Sequence, residues 1–267
     1  MTTLAELTRR TSRLVNRHVS GAATSSSGNA TTLIDITGLA GYPDDHFNSG
    51  TIWLLSGANA GKSRIISDFA DSSDTLTFPT VGTNIASGVQ WEACDANFVT
   101  YSDLRQAVNL ALQESGKVME VPDETLVTVA DQWTYDLPAG VADAIRVYVV
   151  TDLGLSTEEE YLSTHWRERQ GQLIFDKGYE PDEDKTLRIY YRVLHYEMTA
   201  DTDELDSQVD DESLIYLAAR QALRLAYKHF DKAGDSTIPE WLNEAAEEAK
   251  KHIRRNMGMP IFSVRTA

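Results

Sequence analysis

Between residues 30 and 95 the apolar residues come in runs only four to six residues long, each closed by glycine, asparagine or aspartate. The runs are 32–36, 51–55, 64–69, 75–78 and 89–94, and β-branched and aromatic residues are common in them. Runs this short cannot carry the stripe of a packed helix, which needs ten residues or more at a 3.6-residue period. Several short strands divided by turn residues predict a small barrel or sandwich. The pattern returns further on, at 126–130, 132–135, 144–150, 172–175 and 186–195, and the turn-rich run 176–182 joins the last two as a hairpin. A short helix is predicted between 157 and 169.

Helical patterns flank these β regions. Thr3-Leu4-Ala5-Glu6 reads as a capping box, and Leu4, Leu7, Leu14 and His18 follow it on one stripe. The run Gly21 to Gly28, small and serine-rich, reads as a flexible linker. A second helix is predicted from about 102 to 120, with Leu104, Val108, Ala111, Leu112 and Val118 buried and Pro122 as its stop. Leu214, Leu217, Ala218, Leu225 and Ala226 mark a third helix with a broad alanine-rich face. A fourth opens at Thr237-Ile238-Pro239-Glu240, with Trp241, Ala245, Ala249 and Ile253 on its buried side. The expected fold class is therefore α+β: a helical bundle drawn from both chain ends, an inserted small β-barrel or sandwich, and a second β-sheet region. The expected divisions are an N-terminal helix (1–20), the β module (29–97), a core of helix, sheet and two helices (100–257), and a tail (258–267).

Charge narrows the function. With 24 basic and 41 acidic side chains the net charge is −17, against the basic footprint that a general nucleic-acid binder needs. The distribution is uneven. Residues 121–210 hold 7 basic and 21 acidic side chains, whereas residues 1–20 set Arg9, Arg10, Arg13 and Arg17 against Glu6. The single cysteine, Cys94, excludes an internal disulfide and a multi-cysteine zinc site, and it suits a chain folded in a reducing cytosol. No apolar run reaches the ~20 residues of a membrane span, so the chain is expected to be soluble and intracellular when made.

Two motifs imitate chemistry. Ser56-Gly57-Ala58-Asn59-Ala60-Gly61-Lys62-Ser63 nearly spells a phosphate-binding loop, but the position that needs the first glycine is Ser56. The segment that follows, Ser63-Arg64-Ile65-Ile66, reads as a strand, whereas the phosphate loop must open a helix. A hairpin turn is the better reading. Asp201-Thr202-Asp203-Glu204-Leu205-Asp206, with Glu212 beyond it, imitates a calcium loop. Leu205 at the fifth position and Asp206 in place of the obligatory glycine break it. The acids then serve the positive N-terminus of the helix that starts near 211. The six histidines have no zinc spacing, and no nucleophile elbow is present. No catalytic residue, cofactor or metal is expected.

A family resemblance rests on three stretches. Thr199 to Asp206 leads into Asp211-Glu212-Ser213-Leu214-Ile215-Tyr216-Leu217-Ala218-Ala219-Arg220, a strand, an acidic elbow and an alanine-rich helix. Trp133-Thr134-Tyr135-Asp136-Leu137-Pro138 leads into Ile145-Arg146-Val147-Tyr148, and 50–78 forms the β module. Together they resemble the head–tail adaptor, or head-completion, proteins of tailed bacteriophages and archaeal tailed viruses. The resemblance implies a homo-oligomeric ring, usually dodecameric, that docks on the portal protein and meets tail or neck proteins. Genomic DNA would pass through its lumen without sequence-specific binding, at the neck of the virion. Candidate docking residues are Arg9, Arg10, Arg13 and Arg17, the basic run Lys250, Lys251, Arg254 and Arg255, and Ile261 and Phe262 in the tail. Rival readings are another tail, baseplate or fibre-attachment protein, or a hydrolase without a legible motif.

Overall fold

In the computed structural model residues 2–95, 99–141, 143–155 and 158–230 are described. The chain divides into two compact units, Met1–Ser115 with Tyr196–Ala267, and Gly116–His195.

The first unit opens with α1 (Leu4–Val15), where the Thr3 side chain accepts the Glu6 amide and so caps the helix. Leu4, Leu7, Thr8, Thr11 and Val15 form its buried stripe. The chain then enters β1 (His18–Ala22) directly, followed by β2 (Thr32–Ile34), β3 (Thr51–Leu54), β4 (Lys62–Ile65), β5 (Asp68–Ala70), β6 (Thr75–Thr77) and β7 (Gln90–Cys94). These seven strands make two antiparallel sheets, ordered β1-β7-β3-β4 and β2-β6-β5. They close on one core that includes Leu33, Phe47, Phe69, Leu76, Phe78 and Trp91. Asp35 is buried there without penalty, because the Trp91 indole N–H and the amides of Thr37 and Gly38 donate to it.

Two more helices belong to this unit, α2 (Tyr101–Ser115) and α3 (Asp211–Phe230). A reciprocal Thr100–Asp103 capping box starts α2. Leu4 and Leu7 of α1, Val108 and Leu112 of α2, and Leu214 and Ala218 of α3 share one core. Ala219, Ala222 and Ala226 of α3 share another with Leu104, Ala107 and Trp53. The small side chains let α3 come close to both α2 and the β module.

The second unit is all β: β8 (Lys117–Val127), β9 (Thr134–Asp136), β10 (Ala144–Thr151), β11 (Glu159–Ser163), β12 (Trp166–Arg169), β13 (Gln172–Phe175) and β14 (Thr186–Leu194). Its sheets are ordered β11-β10-β14-β8 and β12-β13-β9. Val147, Val149, Leu187 and Ile189 from the first meet Tyr135, Leu173 and Phe175 from the second.

The helical bundle expected from both chain ends is not what this sequence builds. Among the described residues, four antiparallel sheets outweigh three helices. The N-terminal helix is short because residues 18–22, read in part as helix and in part as a Gly-Ser linker, pair with β7 as an edge strand. Gly21 belongs there: a Cβ on it would lie 2.3 Å from Asp35 Oδ2 and 3.0 Å from the Trp91 ring. The second helix ends at Ser115 rather than near 120, because Gly116 takes a left-handed φ of +78° and turns the chain into β8. Pro122, read as a helix stop, lies inside β8, an edge strand whose outer side needs no amide donor. Where a helix is expected between 157 and 169 the chain forms β11 and β12, which pair with β10 and β13 in different sheets. The fourth helix, from 237, lies outside the described residues.

Candidate functional site

The basic N-terminal helix meets its own acid. Glu92 sits in β7 with its side chain 2% exposed, and two guanidiniums and an imidazole converge on it. Arg9 reaches it at 2.7 Å, Arg13 at 2.5 and 2.6 Å, and His18 Nδ1 at 2.6 Å. The His18 ring is stacked on Trp53, with centroids 5.5 Å apart, and its Nε2 lies 2.9 Å from Ser12 Oγ. Burial by itself would raise the Glu92 carboxyl, but the hydrogen bonds from His18, Arg13 and Arg9 outweigh it and hold the group well below the usual carboxylate range. Arg9 also grips Glu6, and Arg10 pairs with Asp211 of α3 at 2.7 Å. Of the four arginines expected to dock on a partner, three are thus engaged within the chain, and Arg17 is exposed. Lys250, Lys251, Arg254, Arg255, Ile261 and Phe262 lie outside the described residues.

The acidic elbow is folded back on the unit in the same way. Leu4 N–H donates to Asp203 O and Leu205 N–H to Thr2 O, so the N-terminus of α1 and the elbow satisfy each other's backbone. Asp203 accepts the Thr199 and Ala200 amides, and Asp210 caps α3 by accepting the Ser213 amide. No group of three or more His, Cys, Asp or Glu side chains among the described residues could hold a metal ion.

Asp201 does something different. It reaches across to β4, where Oδ2 accepts the Ser63 amide at 3.1 Å, and Oδ1 accepts the Tyr101 hydroxyl at 2.5 Å. Ser63 Oγ lies 2.6 Å from the same phenol. Burial, then the Asp201 carboxylate, pushes the Tyr101 hydroxyl up to about 12, so the phenol is a neutral donor at any physiological pH.

These residues line a cleft of about 850 Å³ between β4, α2 and the segment 197–201. Arg64 and Arg105 also line it, with the Arg105 guanidinium 5.7 Å above the Tyr101 ring. On the α2 side Asn109 clamps the backbone of Met198: its amide donates to Met198 O and its carbonyl accepts the Met198 N–H, both at 3.0 Å. The main chain of Met198 is thus held on the wall of the cleft by a single side-chain amide. The cleft's volume is that of a ligand pocket, and its walls offer hydrogen bonds and both signs of charge, Arg64 and Arg105 beside Glu197 and Asp201.

The phosphate-loop look-alike is a hairpin. A 3-10 turn at Gly57–Asn59 joins β3 to β4, which pair antiparallel with Leu54 opposite Lys62. The Lys62 ammonium donates to the carbonyl of Val81 and to Asn59, pinning the hairpin to the loop beyond β6.

The Ser63–Tyr101–Asp201 contact joins residues 38 and 100 positions apart, and no motif marks it. Glu92 left a fainter signal, an acid inside the apolar run Trp91-Glu92-Ala93-Cys94. Comparison of the sequence with protein-family models and with curated proteins finds no match. No helix among the described residues is long and apolar enough to cross a membrane.

Proposed function

We propose that this chain is a non-enzymatic assembly protein, a head–tail adaptor that forms a ring on the portal of a tailed virus. The observation that carries the reading is the passage from the acidic elbow into α3. Alanines 218, 219, 222 and 226 of that helix are all fully buried, and the elbow before it is tied to α1 by backbone hydrogen bonds. A strand, an acidic elbow and an alanine-faced helix together resemble the connector proteins of tailed viruses. The elbow and a shared core tie α1 to α3, which suits an adaptor that must hold its geometry under a pressurised capsid.

In this reading copies stand side by side around the DNA channel, with the portal on one face of the ring and tail or neck proteins on the other. Arg17, exposed at the end of α1, is the docking candidate within the described residues. The excess of acid supports a passive channel, because DNA slides past carboxylates without the counterion release that makes it stick. The test is the particle mass of the purified protein, alone and mixed with its portal protein. One copy bound per portal subunit is the expected result. Failure to bind portal at any salt concentration overturns the proposal.

A further inference from the structure

Four charged side chains line the cleft, and two of them are already spent on the protein itself. Arg64 donates to the carbonyls of Ser63 and Thr80 and pairs with Asp201 at 3.5 Å. Asp201 in turn accepts the Ser63 amide and the Tyr101 hydroxyl. That leaves one charge of each sign, Arg105 and Glu197. Neither side chain has an ion-pair or hydrogen-bond partner among the described residues, and the two do not pair with each other. Asp203 feels the Arg105 charge, but its carboxylate accepts the amides of Thr199 and Ala200.

Two anchors set the spacing of this pair. Tyr101 of α2 holds Asp201 and Asn109 holds Met198, so the segment 198–201 runs back along α2 against the direction of the helix. Arg105 is midway between the anchors, about 6 Å along the helix axis from each. Glu197 follows one residue beyond Met198, a further ~3 Å. The two residues are therefore rooted about 9 Å apart along one wall. Gln106 and Gln113 stand exposed on the same wall, three residues before and four after Asn109, and neither amide has a partner among the described residues. Ile65, 46% exposed, and Leu110 add apolar surface.

We infer that the cleft binds a short peptide by both of its free ends. A ligand of one sign meets a like charge on the same wall, whereas a zwitterion satisfies both. The C-terminal carboxylate takes the Arg105 guanidinium, which can hold it by two parallel bonds, and the N-terminal ammonium takes Glu197. An extended chain advances about 3.3–3.6 Å per residue, so about three residues fill the ~9 Å between them. The amides of Gln106 and Gln113 bond the peptide main chain as Asn109 bonds that of Met198, and an apolar side chain lies against Ile65 and Leu110. This site goes beyond the adaptor reading and does not depend on it.

Titration calorimetry on the full chain tests it with the tripeptide Leu-Gly-Leu, its N-acetylated form, its C-terminal amide and free leucine. The tripeptide is expected to bind with a Kd of about 1 mM or tighter. Acetylation, which removes the ammonium, and amidation, which removes the carboxylate, are each expected to weaken binding about tenfold or more. Two variants assign the ends. In Arg105→Gln amidation no longer matters while acetylation still does, and in Glu197→Gln the reverse holds. The blocked peptides probe both charges on the wild-type protein, so the result does not hinge on how either variant folds. No heat from Leu-Gly-Leu at about 5 mM overturns the inference, as do blocked peptides that bind as well as the free one. Leucine binding as tightly as the tripeptide overturns it too, because a single residue cannot span the pair. Failure to bind portal would bring down the adaptor reading and leave this site standing.

Discussion

At Glu92 a carboxylate is removed from water by β7 and repaid by two guanidiniums and an imidazole. Removing one member of such a cluster leaves uncompensated charge, so Glu92→Gln is expected to destabilise the protein by about 3 kcal/mol at neutral pH. The pH dependence has a definite sign. The folded-state pKa lies below the ordinary 4.5, so the stabilisation is fully present above about pH 4.5 and is lost as pH falls toward the depressed value. Thermal melts of the wild type and the variant should therefore stay apart at pH 7 and converge on acidification. A gap that stays undiminished as the pH is lowered from 7 to 2 would mean that the glutamine harms packing rather than charge. The sequence displayed the arginines plainly, as a basic helix, but their partner is 79 to 83 residues away and could not be paired with them by inspection. Surface charge and internal charge look alike in one dimension.

Elements were legible where a local rule acts alone and missed where a neighbouring strand decides. The capping box at Thr3, the runs of the β module and the stripe of α3 follow from spacing, and the structure has elements at each. The stretch 159–163 is rich in helix-compatible glutamate and leucine, yet pairing with β10 makes it a strand, because strand preference depends on the neighbours that complete the sheet. The Gly-Ser run at 21–28 failed differently. Gly21 gives space to the Asp35 and Trp91 side chains, not freedom to a linker. Gly50 makes the same point more severely: a Cβ on it would sit 2.1 Å from the backbone oxygen of Cys94, where β3 and β7 begin their pairing. Backbone cannot step aside as a side chain can, so Gly50→Ala is expected to cost about 3 kcal/mol, at the upper end of overpacking. Chemical denaturation would measure it, and a loss under ~0.5 kcal/mol would show that the strands can part there.

For the whole molecule the division into two units makes its own prediction. Gly116–His195 has a core of its own, built from Tyr135, Val147, Val149, Phe175, Leu187 and Ile189. Expressed alone, it is expected to give a β-type circular dichroism spectrum and one cooperative thermal transition, as a compact domain does. A broad, non-cooperative melt would show that the fragment needs the rest of the chain. The sequence by itself determined the periodicities, and from them most of the short strands, the stripes of α2 and α3, the first turns of α1, the hairpin hidden in the phosphate-loop look-alike, and the uneven spread of charge. Each of these depends on residues within about a dozen positions of one another. Leu14, read on the α1 stripe, is instead 48% exposed, and His18 lies in β1. The tertiary structure alone decided that sheets and not helices organise the described chain. It alone turned the basic helix inward onto Glu92, and made one cleft from residues near 63, 101 and 201. The physical reason is the same in each case: strand pairing and buried ion pairs draw their energy from partners distant in sequence, and only the folded chain selects which partners meet.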